Sequence, residues 1–173
     1  MKREILTNSK ILSDVNDTAE ELQRIVSSAD EKDLNTVPFE HSWTAAQVTD
    51  HVTRSFNGMA EFLGFTGKTA DRKPDEKAGD FKALFLNFET KMKSPPFILP
   101  TRDTYRKDIL LEKFENSVAR FTDVAKKADP AELLDLPPLG EITKLEAMYF
   151  VLYHTQRHIH QLKNILEQLN LKK

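Results

Sequence analysis

The chain has 173 residues, 39% hydrophobic and 30% charged, with no Cys. That length suits a single domain that builds its core without disulfides, and the composition is too apolar for disorder. Lys plus Arg number 25 against 27 Asp plus Glu, a formal charge of −2, so no net basic field exists to attract nucleic acid.

No apolar run is long enough to span a bilayer. The charged start, Met1-Lys2-Arg3-Glu4-Ile5-Leu6, predicts no secretory leader. Absence of Cys excludes disulfides, thiolate nucleophiles, thiolate zinc sites and iron–sulfur clusters. It fits a reducing, cytoplasmic location, which is the expectation. Any metal must then be held by His, Asp, Glu, carbonyls or water.

Four stretches carry helical periodicity. Residues 10–29 repeat Leu12, Val15, Ala19, Leu22 and Val26 at spacings of three and four, which stacks them on one face. The polar, Pro-containing stretch from Asp30 to Ser42 ends that helix. A second begins near Ser42 or Thr44, with Gln47 in capping-box position after Thr44. Its stripe is Val48, Val52, Met59, Phe62 and Leu63, with Phe56 alongside, and Gly64 and Gly67 mark its end.

Thr66–Asp80 reads as loop, and Phe81, Leu84, Phe85, Phe88 and Met92 predict a short extra helix. Ser94-Pro95-Pro96 and Pro100 predict extended chain. A third long helix covers about Asp103–Ala128 through Leu110, Phe114, Val118, Phe121 and Ala125, and closes at Asp129-Pro130. Pro137-Pro138-Leu139-Gly140 makes a stiff turn. The fourth helix starts at Thr143, with Glu146 three residues on. It follows Leu145, Met148, Leu152, Ile159, Leu162, Leu166 and Leu169, with Thr155 in the same register.

About forty residues separate the second and third helices, too many for an antiparallel hairpin. They predict a crossover that lets those two helices run parallel, in an all-α four-helix bundle spanning residues 1–173.

The histidines are His41, His51, His154, His158 and His160. His154 and His158 are four apart, roughly 40° around a helix axis, so both rings project from one face. His160 lies roughly 200° from His158 and reads as a surface or packing residue. His51, beside Val52 at the edge of the second helix's stripe, is the candidate third ligand. Inward imidazoles on two helices suggest one shared partner, a metal ion. The plainer alternative is three buried histidines, each bonded to its own carbonyl or carboxylate.

Ser42-Trp43-Thr44-Ala45-Ala46-Gln47-Val48 followed by His51 carries a resemblance. So does Pro138-Leu139-Gly140-Glu141-Ile142-Thr143 followed by His154-Thr155-Gln156-Arg157-His158-Ile159-His160-Gln161-Leu162. In order and spacing these resemble the DinB-like (YfiT-like) superfamily of metal-dependent enzymes, over nearly the whole chain. The resemblance implies a four-helix bundle in up-down-down-up order. It also implies a divalent metal, zinc or nickel, on His51, His154 and His158, and all three positions are retained. Relatives include thiol-dependent transferases and isomerases.

Three neutral imidazoles leave a divalent ion its charge and an open position, which suits Lewis-acid chemistry or binding of a thiolate. With no Cys in the chain, that thiol would be a low-molecular-weight cosubstrate beside an unidentified small-molecule substrate. Thr155, Gln156 and Arg157 stand between the helix-four ligands, so a His-Glu-x-x-His metalloprotease is excluded. Glu115, Asp50 and Glu146 are the carboxylates weighed as general base, although charged residues on helices are usually solvated.

Gln161 and Gln47 share faces with His158 and His51. Each reads as a ligand-holding residue or, more simply, as a polar rim residue and a cap. Trp43 reads as a core plug, Arg54 and Arg157 as exposed, and Phe81, Phe85, Phe88 and Phe97 as a pocket wall or a seal at the bundle's end. The leading expectation is a hydrolase or thiol-dependent transferase. The alternatives are a non-catalytic metal-binding or stress-response bundle, and a helical interaction protein without metal. Homodimerisation fits all of them.

Overall fold

Thr44 and Thr143 decide where the two site-bearing helices begin. Each hydroxyl accepts from the backbone amide three residues on, 3.1 Å from Gln47 N and 3.1 Å from Glu146 N. The Gln47 and Glu146 side chains return the bond to the Thr44 and Thr143 amides at 3.0 and 2.8 Å. Both expected capping boxes are therefore present, and they fix α3 (Ala45–Gly64) and α6 (Lys144–Asn170).

The computed structural model describes residues 2–90, 92–94, 96–100 and 102–172, without the side chains of residues 2–7 and Phe97. Pro95 and the Phe97 ring, both invoked above, lie outside the described residues. The other elements are α1 (Lys2–Ser28), α2 (Glu31–Leu34), β1 (Lys68–Thr69), α4 (Ala78–Phe85), α5 (Lys107–Ala125), β2 (Glu132–Leu136) and β3 (Gly140–Thr143).

Side-chain bonds between helix ends set the topology. Asn8 Nδ2 donates to the Ala128 carbonyl at 3.1 Å, tying the start of α1 to the end of α5. Lys107 Nζ donates to the Ala29 carbonyl at 2.7 Å, tying the start of α5 to the end of α1. Gln47 Nε2 donates to the Arg102 carbonyl at 3.2 Å, so α3 and α5 start at the same end. The Leu145 amide donates to the Pro130 carbonyl, and Lys172 to the Pro38 carbonyl, which runs α6 back the other way. The order is up-down-down-up, with residues 65–106 as the crossover.

α3 lies along α5 and α1 along α6. Between them Phe56 meets Phe114 and Phe121 edge-on, with centroids 5.8 and 5.4 Å apart, and all three rings are fully buried. Each such pair adds about 0.5–1.5 kcal/mol to the gain from burial. The expected stripes of α1, α3 and α6 are buried throughout, except for Leu166, which is half-buried.

Several expectations need correction. α1 begins at Lys2 rather than near residue 10. α5 begins at Lys107 rather than Asp103, and the Tyr105 amide ahead of it donates to Asn35 Oδ1 at 2.7 Å. It ends at Ala125 rather than Ala128. The extra helix is Ala78–Phe85, shifted toward the N-terminus. Pro96–Ile98 forms a 3-10 turn rather than extended chain.

The region read as loop and turn also holds a three-stranded antiparallel sheet in the order β1-β2-β3. Leu136 pairs with Gly140 across the hairpin, whose bend carries a cis Pro137–Pro138 peptide and a Leu139 amide to Leu136 carbonyl bond of 2.7 Å. Gly67 allows β1 to approach: a Cβ there would sit 2.3 Å from the Leu133 carbonyl oxygen. The sheet packs at the start of α6, which continues directly from β3.

Candidate metal centre

α3 carries His51 and α6 carries His154 and His158, and all three side chains are buried. Their ligand nitrogens lie within 4.8 Å of one another. His154 Nε2 sits 3.1 Å from His51 Nε2 and 3.1 Å from His158 Nε2. The convergence expected from spacing is therefore present, while His51 and His158 each also bond an acceptor of their own.

Two of the rings have defined tautomers. His51 Nδ1 lies 2.8 Å from the Ile98 carbonyl, and His158 Nδ1 lies 2.8 Å from Gln161 Oε1. A carbonyl oxygen only accepts, so both Nδ1 atoms carry the hydrogen. The Nε2 atoms of these two rings then present lone pairs toward His154. Whichever nitrogen of His154 is protonated, its Nδ1 is buried without a partner.

Burial lowers the pKa of all three groups. His51 is lowered by burial, against the opposing pull of the Ile98 carbonyl. His154 falls well below its ordinary value through burial and then through its two histidine neighbours. Burial, then His51, brings His158 to about 3. All three are therefore neutral at pH 7, the form a metal ion requires.

The donor set fits a divalent cation. Zinc–nitrogen bonds of about 2.0–2.1 Å at tetrahedral angles hold their nitrogens about 3.3–3.4 Å apart. The observed 3.1 Å is close to that spacing.

A cleft of about 220 Å³ opens against His154 and His158. Its walls include Met59, Phe85, Phe150 and the hairpin bend from Leu136 to Leu139. Among the described residues, Phe85 is the one expected crossover aromatic in this wall. Phe81 is buried edge-on against Phe150, and Phe88 stacks on the exposed His160 with centroids 4.0 Å apart, consistent with a packing role for His160. Trp43 is half-buried with its ring 5.2 Å from that of His51, so it plugs the core next to the site.

The two arginines are not exposed as expected. Arg157 is half-buried because its guanidinium donates to the carbonyls of Phe85 and Asn87, at 3.1 and 2.9 Å, and to that of Thr90. It thereby fastens the segment after α4 to α6. Arg54 is half-buried beside Asp50, 3.3 Å away.

The proposed general bases sit elsewhere. Glu146 is fully buried in an ion pair with Arg72, Asp50 faces Arg54 and the Tyr105 hydroxyl, and Glu115 accepts from Gln23 on the surface. No carboxylate among the described residues lines the cleft.

Gln161 and Gln47 divide the roles weighed for them, one orienting His158 and the other capping α3. Reasoning from sequence missed the Ile98 carbonyl, the hairpin wall and Ser55. Ser55 lies four residues after His51 and lines the cleft. The spacing that paired His154 with His158 was enough to find it.

A helical bundle that gathers three neutral imidazoles from two helices belongs to the class of candidate metal-site bundles. A family model described as the DinB superfamily matches residues 15–162, and the chain belongs to that superfamily. Two solved structures share the fold. TT2238, described as a four-helix bundle protein, is 19% identical with a TM-score of 0.60, over 91% of this chain and 98% of that one. YfiT from Bacillus subtilis, described as a probable metal-dependent hydrolase with an unusual four-helix bundle topology, is 18% identical. Its TM-score is 0.63, over 94% of this chain and 87% of that one. A search of curated proteins finds no match.

Proposed function

We propose that the chain is a divalent-metal-dependent enzyme whose ion is held by His51, His154 and His158. The observation that carries this is the meeting of three buried Nε2 atoms, two of them fixed as lone-pair donors by Ile98 and Gln161. Imidazole donors suit zinc and nickel. When bound, such an ion supplies Lewis acidity to an oxygen or sulfur ligand. The chain's own residues hold the imidazoles neutral, orient two of them, and wall the cleft beside them with Phe85 and Phe150.

The cleft beside the trio favours an enzyme over a closed storage or structural site. The neighbour described as a probable metal-dependent hydrolase supports hydrolysis. The Cys-free sequence keeps the thiol-dependent transferase reading, with the thiol as a separate cosubstrate. Metal content of the purified chain tests the assignment. Wild type carries about one zinc or nickel per chain, and the His154→Ala/His158→Ala variant carries almost none. Equal content in both refutes the site.

A further inference from the structure

The cleft contains an unmet requirement. Among the described residues, the buried polar side-chain atoms without a hydrogen-bond partner are Asn8 Oδ1, Ser55 Oγ and His154 Nδ1. Ser55 and His154 both line this cleft, and they are 7% and 6% exposed. Ser55 could satisfy itself as other buried helical hydroxyls here do. Thr49, Thr53 and Thr155 each donate to the carbonyl four residues earlier, at 2.9, 2.9 and 2.7 Å. Ser55 does not, and a buried hydroxyl left unbonded is costly.

Gly58 is the second observation. It lies within the 20-residue helix α3, where Gly is the poorest ordinary residue after Pro. No neighbour requires it, since a Cβ there would meet nothing within 4 Å. It is exposed and lines the cleft, so its missing side chain keeps the cleft open to solvent.

Charge is the third. Arg54, Lys93 and Arg157 line the cleft without a carboxylate. Asp50 balances Arg54, and the Arg157 bonds described above are all to carbonyls, so the surplus at the cleft is cationic.

We propose that this cleft binds a small molecule with an apolar body and one anionic head, which enters past Gly58 and has its head received by Ser55 beside the imidazole trio. The contribution of the ion to holding the head rests on the metal-site reading above; the fit of the apolar body does not.

Calorimetric titration of the Co²⁺-loaded chain with phenylacetate and acetate tests the proposal. Phenylacetate binds about tenfold more tightly than acetate, because its ring leaves water against Met59 and Phe150. Gly58→Leu, whose side chain occupies the mouth of the cleft, removes that preference. Ser55→Ala weakens phenylacetate about tenfold with unchanged Co²⁺ stoichiometry, the loss expected for a hydrogen bond to a charged group.

Equal affinity for the two acids, or a preference that survives Gly58→Leu, overturns the cleft assignment. An unchanged affinity in Ser55→Ala overturns the role of Ser55. Failure to take up Co²⁺ overturns the metal reading instead. The metal-free chain then decides the cleft by the same ring preference and its loss in Gly58→Leu, and absence of either overturns it.

Discussion

Two buried polar clusters sit on α6, about two turns apart, and their charges are met differently. At the start of the helix, the Glu146 carboxylate accepts 2.5 and 2.7 Å bonds from Arg72, a 2.7 Å bond from the Lys77 amide and a 2.8 Å bond from the Thr143 amide. Burial alone would raise its pKa, but Arg72 and the two amides outweigh burial and hold it below the usual carboxylate range. Farther along, His154 and His158 are neutral, with lone pairs converging and one nitrogen unpartnered. The first cluster is complete within the chain and pins the crossover to the bundle. The second leaves the buried Nδ1 of His154 without a hydrogen-bond partner.

Removing one member of each cluster separates the two roles. Glu146→Ala strips a half-buried guanidinium and two amides of their fully buried acceptor, and should cost about 3 kcal/mol in a urea denaturation series. Metal content should not change. A drop in metal content equal to that of the His154→Ala/His158→Ala variant would show that the clusters are not independent.

Gln161→Leu acts on the other cluster. It removes the acceptor of the His158 Nδ1 hydrogen and should weaken zinc affinity about 10–100-fold in competition with a chelator. Its effect on stability without metal should be smaller than that of Glu146→Ala.

Acid distinguishes the clusters by where stability is lost. The folded pKa of His158 is about 3, below the ordinary 6.5, so unfolding takes up a proton. Its contribution is fully present above pH 6.5 and is lost as pH falls from there toward about 3. Glu146 is also lowered, so its contribution holds above its ordinary 4.5 and is lost only below that. Denaturation of the metal-free chain should therefore weaken from pH 6.5 downward, and His158→Phe should flatten the upper part of that decline. A flat profile between pH 6.5 and 5 in wild type would contradict the burial of neutral imidazoles.

The smallest effect belongs to the caps. Thr44→Ala removes a hydroxyl acceptor at the first turn of α3 and should lower stability by about 1 kcal/mol, measured as a shift in denaturation midpoint. His51 is nearly two turns farther on, so metal affinity should change little.

The bundle was legible because its signals are local. Thr44 with Gln47 and Thr143 with Glu146 announce two helix starts, and spacings of three and four expose the buried faces. The trio was legible because two ligands share one helix and the third lies on another well-marked stripe. The sheet was not. β1 is two exposed residues, and Glu132–Leu136 places Leu133 and Leu134 side by side, without the alternation that marks a strand. Glu146 misled as a candidate base because nothing in sequence shows that Arg72, 74 residues away, reaches it. The 2.8 Å contact from Ile98 to His51 depends in the same way on how the crossover folds back.

The hairpin bend has a consequence for how this scaffold can change. Leu136 to Leu139 shape one side of the opening, yet their backbone is held by strand pairing and not by the interlocked helices. Loop bends tolerate insertion and exchange far better than packed helices do. Chains built on this plan can therefore alter the contour of the recess by editing four residues, while the nitrogen donors stay where they are.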